Sequence, residues 1–356
     1  MENITNPRRR ATFEGGREAA GPSWKESLAR AVRDPAELIE ILRLDESLLD
    51  EARKAAELFP LVVPREFIER MQPGDPADPL LRQVLPLGPE LEEAPGGRSD
   101  PLEEKEFLRA PGLLKKYDGR ALLIAAGTCA VNCRYCFRRE YPYGETPVGM
   151  KAWEPAFRML KADESIREII LSGGDPLVLT DGSLSRLVEK LDRIPHLRRL
   201  RIHSRLPIVI PRRVTDRLLR TLRTSRLTPI VVVHTNHPAE LDTATGDALR
   251  RFINAGIPVL NQAVLLRGVN DAEDALAELS ERLINLGAIP YYLHQLDPVS
   301  GSRHFHVPVR RGLELIAALR RRLPGYAVPR YVQEIPGEPH KSDLTGQLFP
   351  GPKTEN

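Results

Sequence analysis

From Ala121 onward the chain alternates short, β-rich apolar runs with longer amphipathic segments. The runs are ALLIAA (121–126), EIILS (168–172), LRRLRIHS (197–204), IVVVHT (230–235), VLNQAVLL (259–266) and IPYYLHQL (289–296). Between them, stretches such as SLSRLVEKLDRI, AELDTATGDALRRFINAG and DALAELSERLINLG carry apolar residues at helical spacing. Gly256 and Gly287 fall where helix C-termini are expected. Strands joined by crossovers of this length pair in parallel, because a tight turn cannot return a chain in the same direction. The pattern predicts an α/β fold, either a doubly wound sheet or an incomplete (β/α)6 barrel. In both, chemistry collects at the C-terminal ends of the strands, where Thr128, Ser172, Ser204, His234, Gln262 and His294 stand.

With 356 residues and 41% hydrophobic content, the chain can bury one large domain plus an appendage. It divides by composition into a flexible tail over 1–22, a mainly helical region over 23–112, a core over 115–330 and a C-terminal segment over 331–356. In the helical region Leu28, Val32, Leu38, Ile39 and Leu42 recur at helical spacing, interrupted at Pro35; packing against the core is its expected task. No run of about 18 apolar residues suggests a membrane span, and the N-terminus lacks the apolar stretch of a secretory signal. A net charge of +3 does not call for nucleic-acid binding. Eleven arginines lie between Arg193 and Arg226; they read as a solvated helix face or as a docking surface for an acidic partner.

All three cysteines of the chain, Cys129, Cys133 and Cys136, lie directly after the first run of the core. A disulfide framework wants an even, dispersed set, so a reducing cytoplasm is the expected compartment. Structural zinc takes four protein ligands, and the loop has no fourth cysteine and no histidine; a zinc knuckle would have to borrow a distant ligand. A redox pair needs only one C-x-x-C. Iron–sulfur clusters are held by thiolates, usually four, so three would leave one iron of a 4Fe-4S cube open to another ligand.

The spacing C-x-x-x-C-x-x-C in CAVNCRYC resembles the signature of the radical S-adenosylmethionine (SAM) enzymes, which bind SAM at that open iron. CRYCFRR, LSGGDPL, RIHSRLPIVIPRR, HTNHPAE, NQAVLLRGVND, PYYLHQLD and PGEPHK together resemble the lysine 2,3-aminomutase family over most of 115–345. The resemblance implies the partial (β/α)6 TIM-like barrel of radical SAM enzymes with an N-terminal helical extension. DPAELIEIL, VPREFIERM and DPLLRQVL are similar to the branch that makes β-lysine for elongation factor P.

The resemblance implies three cofactors, a 4Fe-4S cluster, SAM and pyridoxal 5'-phosphate (PLP), and conversion of L-α-lysine to β-lysine by moving the amine from the α- to the β-carbon. Cys129, Cys133 and Cys136 would hold the cluster. Ser172, Gly173, Gly174 and Asp175, otherwise an ordinary turn after a strand, would hold the methionine end of SAM, the two glycines allowing close approach. His234 and Gln262 match other SAM-contacting positions. Lys341 matches the lysine that carries PLP, although Glu338, Pro339 and His340 replace glycines of the family's segment; read alone it is a solvated lysine. Lys116, Tyr117 and Arg120 match positions near the PLP phosphate.

For the substrate, Arg138 matches the arginine that grips the α-carboxylate. Asp297 and Glu334 match the pair of acids that holds the ε-ammonium, with glutamate where the family typically has aspartate. Two acids facing one ammonium select lysine over glutamate. An external electron donor and the lysyl ligase of elongation factor P are the implied partners, with no membrane and no direct nucleic acid. The chain ends 15 residues after Lys341, short of the extension of free-lysine enzymes, which favours the elongation-factor branch and a monomer. The alternatives are a free-lysine aminomutase of a catabolic or secondary pathway and a non-catalytic iron–sulfur redox sensor.

Overall fold

The structure is a computed structural model that describes residues 22–348 apart from 93–95 and 147. The tail expected over 1–22 lies outside the described residues but for its last position.

Each of the six apolar runs is a strand. They are β3 (Arg120–Ala126), β4 (Glu168–Gly173), β5 (Arg199–Ser204), β6 (Thr228–His234), β7 (Val259–Val264) and β8 (Ile289–His294). Ahead of them lie β1 (Leu108–Ala110) and β2 (Leu113–Tyr117), and after them β9 (Arg330–Gln333) and β10 (Ser342–Asp343). All ten form one sheet in sequence order. Strands β3 to β9 run parallel, while β1–β2, β2–β3 and β9–β10 pair antiparallel. Helices Glu154–Ala162, Asp181–Asp192, Asp216–Thr224, Thr243–Asn254, Glu273–Asn285 and Val309–Arg322 make the crossovers. The strand order never reverses, as a doubly wound sheet requires, and β1 and β10 are left as edges. The architecture is therefore an open, partial TIM-like barrel of six β/α units, closed off by β9.

Local chemistry sets the element ends. Thr180 and Asp242 accept from Ser183 N and Thr245 N at their helix starts. Gly256 and Gly287 end the helices before β7 and β8 with φ of 73° and 85°, a left-handed conformation that costs a residue with a Cβ about 1 kcal/mol. In the N-terminal region the break at Pro35 separates helices Trp24–Ala29 and Pro35–Ile41, capped by Ser23 and Asp34. Leu38, Leu61, Phe67 and Leu81 of this region are buried in the same apolar cluster as Leu171, Ile202 and Val231 of the barrel. Arg70 stitches the two together, donating to Glu240 O at 2.6 Å and Ile208 O at 2.8 Å.

Seven of the eleven arginines between Arg193 and Arg226 are exposed, as a solvated face requires, while Arg205 and Arg213 are buried and several others are tied into the framework. Arg213 is fully buried, donating to Asp181 and to the carbonyls of Leu177 and Leu179. Arg226 caps the carbonyls of Ile194 and Leu197 at 2.8 and 2.9 Å. Arg199 and Arg201 pair with Glu168. Arg217 and Arg220 are the members of helix Asp216–Thr224 that face solvent outright. Among the described residues no helix is long and apolar enough to cross a membrane.

Candidate active site

A cavity of about 570 Å³ opens at the C-terminal ends of the strands, and every site residue singled out from the sequence lines it. The thiols of Cys129, Cys133 and Cys136 are free and half-buried. Their loop leaves β3 and is fastened from the N-terminal region: Asn132 N donates to Val62 O at 3.0 Å and Arg134 N to Gln83 O at 3.0 Å. Arg134 forms a buried two-point ion pair with Glu90, the Nη2–Oε2 arm at 2.7 Å.

Arg205, at the end of β5, is buried and donates to Cys133 Sγ at 2.8 Å, Gln83 Oε1 at 2.7 Å and Glu240 Oε2 at 3.0 Å. Burial, with mutual repulsion from the other thiols, pushes Cys129 well up and Cys136 up to about 11. Such thiols ionise when a positive centre takes the charge. Among the described residues no three His, Cys, Asp or Glu side chains gather closely enough for a single metal ion. The donor set, three cysteines in one loop with a guanidinium donating to one of them, fits an iron–sulfur cluster.

The glycines of Ser172–Asp175 answer to this same loop. A Cβ on Gly174 would stand 2.2 Å from Thr128 O, and one on Gly173, at φ 121°, would stand 2.5 Å from Ala126 O. Gly174 N and Asp175 N donate to those carbonyls at 2.8 Å each. The protein's own backbone thus makes one close approach at these glycines. Asp175 is buried and its carboxylate is committed to Leu177 N, Ser204 Oγ, Arg205 N and Leu206 N at 2.7–3.0 Å. His234 and Gln262 are register partners at the rim. His234 Nε2 lies 3.1 Å from Tyr135 Oη, and burial next to Arg205 lowers its pKa to about 3, so the ring is neutral at pH 7.

Across the cavity lies a chain of alternating charges. Lys341 Nζ meets Glu334 Oε2, and Glu334 Oε1 takes Lys116 Nζ at 2.8 Å. Lys116 also stands 3.1 Å from Glu104 Oε1. Arg138 grips Glu104 with Nε at 2.7 Å and Nη2 at 2.8 Å, and gives Nη1 to Ser172 Oγ at 3.2 Å. The β9–β10 hairpin makes the first contact possible: PGEPH forms its turn, with Gly337 at φ 83°, between Glu334 and Lys341. Burial would raise both glutamates, but Lys341 and Lys116 hold Glu334 well below the usual carboxylate range, and Arg138 and Lys116 hold Glu104 below it. Among the described residues Asp297 makes no ion pair of this kind, and Lys341 and Lys116 act on it only from a distance. Burial and the nearby Glu334 charge lift it to about 7. Arg120 stacks on Tyr117 at 4.5 Å.

Sequence reasoning missed several residues here. Glu104, Gln83 and Glu90 come from the region expected only to pack. Arg201 and His203 also line the cavity, and Arg201 Nε and His203 Nε2 are buried without a hydrogen-bond partner. Uncommitted polar atoms, a lysine able to attach a carbonyl group and a ring of cations fit a cofactor with an aldehyde and a phosphate. Only the alternation of β5, which turns every second residue inward, could have flagged Arg201 and His203.

Residues 118–197, which span the cysteine loop and SGGD, match the family of 4Fe-4S single cluster domains. The chain is 47% identical over 91% of its length to the L-lysine 2,3-aminomutase of Escherichia coli, 95% of which is covered. It is 32% identical over 93% of its length to that of Clostridium subterminale, 79% of which is covered. Among solved structures, a radical SAM methyltransferase from Sphaerobacter thermophilus is similar at a TM-score of 0.47 and 20% identity, over 62% of this chain and 68% of that one.

The three-thiol loop at the mouth of the partial barrel, with its 4Fe-4S match and the relatives just named, defines an iron–sulfur isomerase. The chain belongs to the L-lysine 2,3-aminomutase family. The 4Fe-4S match agrees with the cluster that the sequence resemblance implied, and the relatives' name gives lysine as their small-molecule substrate.

Proposed function

We propose that this aminomutase makes β-lysine for attachment to elongation factor P, working beside a lysyl ligase and an external electron donor. The observation that carries the catalytic reading is the meeting in one cavity of three thiols, Lys341 and the acids Asp297 and Glu334. The segment PGEPHK, similar to the elongation-factor branch, supports the finer assignment. Three free cysteines suit the reducing cytoplasm in which such a pathway would run.

When bound, the cluster and SAM supply a radical that removes and returns a hydrogen on lysine, while PLP supplies the conjugated system that lets the amine cross between carbons. In this reading Cys129, Cys133 and Cys136 hold the cluster. Ser172, Gly173, Gly174, His234 and Gln262 border SAM, with Asp175 securing the turn and a neutral His234 able to donate or accept. Lys341 carries PLP, and Lys116, Tyr117 and Arg120 lie on its phosphate side.

Arg138 takes the substrate carboxylate, and Asp297 and Glu334 take the ε-ammonium. Glu334 is satisfied by Lys341 and Lys116 here, and would exchange one of them to take the substrate's cation. The enclosing strands hold the partners in contact and keep water out.

The test pairs this enzyme, reduced anaerobically with its cofactors and L-lysine, with elongation factor P and the ligase. Hydrolysis of the recovered factor should release β-lysine, and only when this enzyme is present. Free β-lysine with an unmodified factor would support a free-lysine pathway instead.

A further inference from the structure

The run Glu103-Glu104-Lys105-Glu106 is built to deliver one acid inward. Glu103, Lys105 and Glu106 are exposed, while Glu104 is only 3% exposed. Asp100 arranges this: its Oδ1 accepts from Glu104 N at 3.0 Å, and Glu103 adopts a left-handed φ of 50° before the 3-10 turn Glu104–Phe107. A left-handed glutamate is a backbone cost the surroundings must offset. The strand-like bridge of Arg98 with Val299 ties this strap to the loop that carries Asp297, with Arg98 N donating to Pro298 O at 2.9 Å.

A guanidinium has five N–H groups in a plane. Glu104 takes Nε–H and one hydrogen of Nη2, and Ser172 takes one of Nη1. One hydrogen remains on each Nη of a side chain that lines the cavity, and the two Nη groups together are the end of a guanidinium that a second carboxylate can approach. The same Glu104 carboxylate draws Lys116 Nζ to 3.1 Å, away from competing for the incoming anion.

We propose that Glu104 is a positioning residue that holds the side edge of Arg138 so that its terminal edge meets the substrate carboxylate. The proposal rests on the reading of Arg138 as the carboxylate grip. It gives the N-terminal region a share in substrate selection.

The test uses the full chain reconstituted with cluster, SAM and PLP, comparing wild type with Glu104→Gln. Two quantities are read: calorimetric binding of L-lysine and of lysinamide, which lacks the carboxylate, and the KM and kcat for β-lysine formation. The expected result is an increase of about 10- to 100-fold in the lysine Kd and KM, with the lysinamide Kd unchanged and kcat within a few-fold of wild type. Arg138→Gln combined with Glu104→Gln should bind lysine no worse than Arg138→Gln alone, because the two act as one unit.

Equal weakening for both ligands, or no change for either, would overturn the proposal. So would tighter lysine binding, which would make Glu104 a competitor of the substrate carboxylate. Should Glu104→Gln lose its fold, Glu104→Asp keeps the charge, shortens the reach and is read the same way. Lysine binding without β-lysine formation in the wild type would defeat the proposed reaction while leaving this inference readable from the Kd.

Discussion

Glu334 stands between Lys341 and Lys116, one carboxylate oxygen on each ammonium. Two cations share one anion where Lys116 of β2 reaches Glu334 at the start of the turn between β9 and β10. The arrangement keeps Lys341 inside the cavity in a defined place before any carbonyl group arrives. It also shows why the C-terminal segment matters: without the hairpin, neither residue would face the barrel mouth.

Replacement of Lys341 by alanine should abolish the visible absorbance of PLP in the reconstituted protein and reduce β-lysine formation to background. Iron content should stay at the wild-type level, since the thiols lie across the cavity. Retained turnover would move the cofactor's anchor elsewhere.

Asp297 sets a pH dependence. Its pKa of about 7 lies above the 3.8 of a free aspartate, so between those values the folded chain binds more protons than the unfolded one and its stability falls as pH rises. Stability owed to protonated Asp297 is fully present below pH 4 and lost by the time pH passes 7. Asp297→Asn should therefore melt above wild type at pH 8 in the cofactor-free protein, with the gap closing at pH 5. Lysine binding works in the other sense, since its ammonium wants the ionised acid. Affinity should rise with pH up to about 7 in wild type and lose that rise in Asp297→Asn, with a cost on the order of 2–5 kcal/mol.

Gly174→Ala should damage the cysteine loop, because the added methyl would meet Thr128 O at 2.2 Å. Overpacking of this kind costs about 1–3 kcal/mol. Iron bound after reconstitution should fall along with SAM affinity; a variant with full iron and weakened SAM alone would assign the glycine to the ligand.

Within the arginine-rich segment, Arg213→Ala should destabilise the chain by about 3–5 kcal/mol, as removal of a buried ion-pair partner does. Arg217→Glu, at an exposed position, should stay within about 0.5 kcal/mol of wild type. Urea denaturation of both variants checks the contrast.

The parallel core was legible because each strand is a short apolar run followed by a helix-period segment, and Gly256 and Gly287 end helices as their type suggests. The thiols and Lys341 were legible through motifs. Strand β9 was not: RYVQ is four residues long, and its place in the sheet depends on β8 beside it. Glu104 was hidden among exposed glutamates, because only the turn at Asp100 and the partner Arg138, distant in sequence, distinguish it. At Gly173 and Gly174 the sequence shows that backbone comes close to something, and only the fold shows that the cysteine loop is one such neighbour. Most arginines of 193–226 are exposed, as the solvated-face reading expected; Arg205 and Arg213 escaped it because pairing with carbonyls and acids across the barrel leaves no local signature.

One measurement tests the central claim most directly. The reconstituted, anaerobically reduced enzyme is given SAM, PLP and L-lysine, with L-glutamate as the competing substrate, and the amino acids are resolved by chromatography after derivatisation. Formation of β-lysine and no β-glutamate is the expected result, absent in Lys341→Ala. Cleavage of SAM with lysine left unchanged would contradict the assignment of this cavity to lysine.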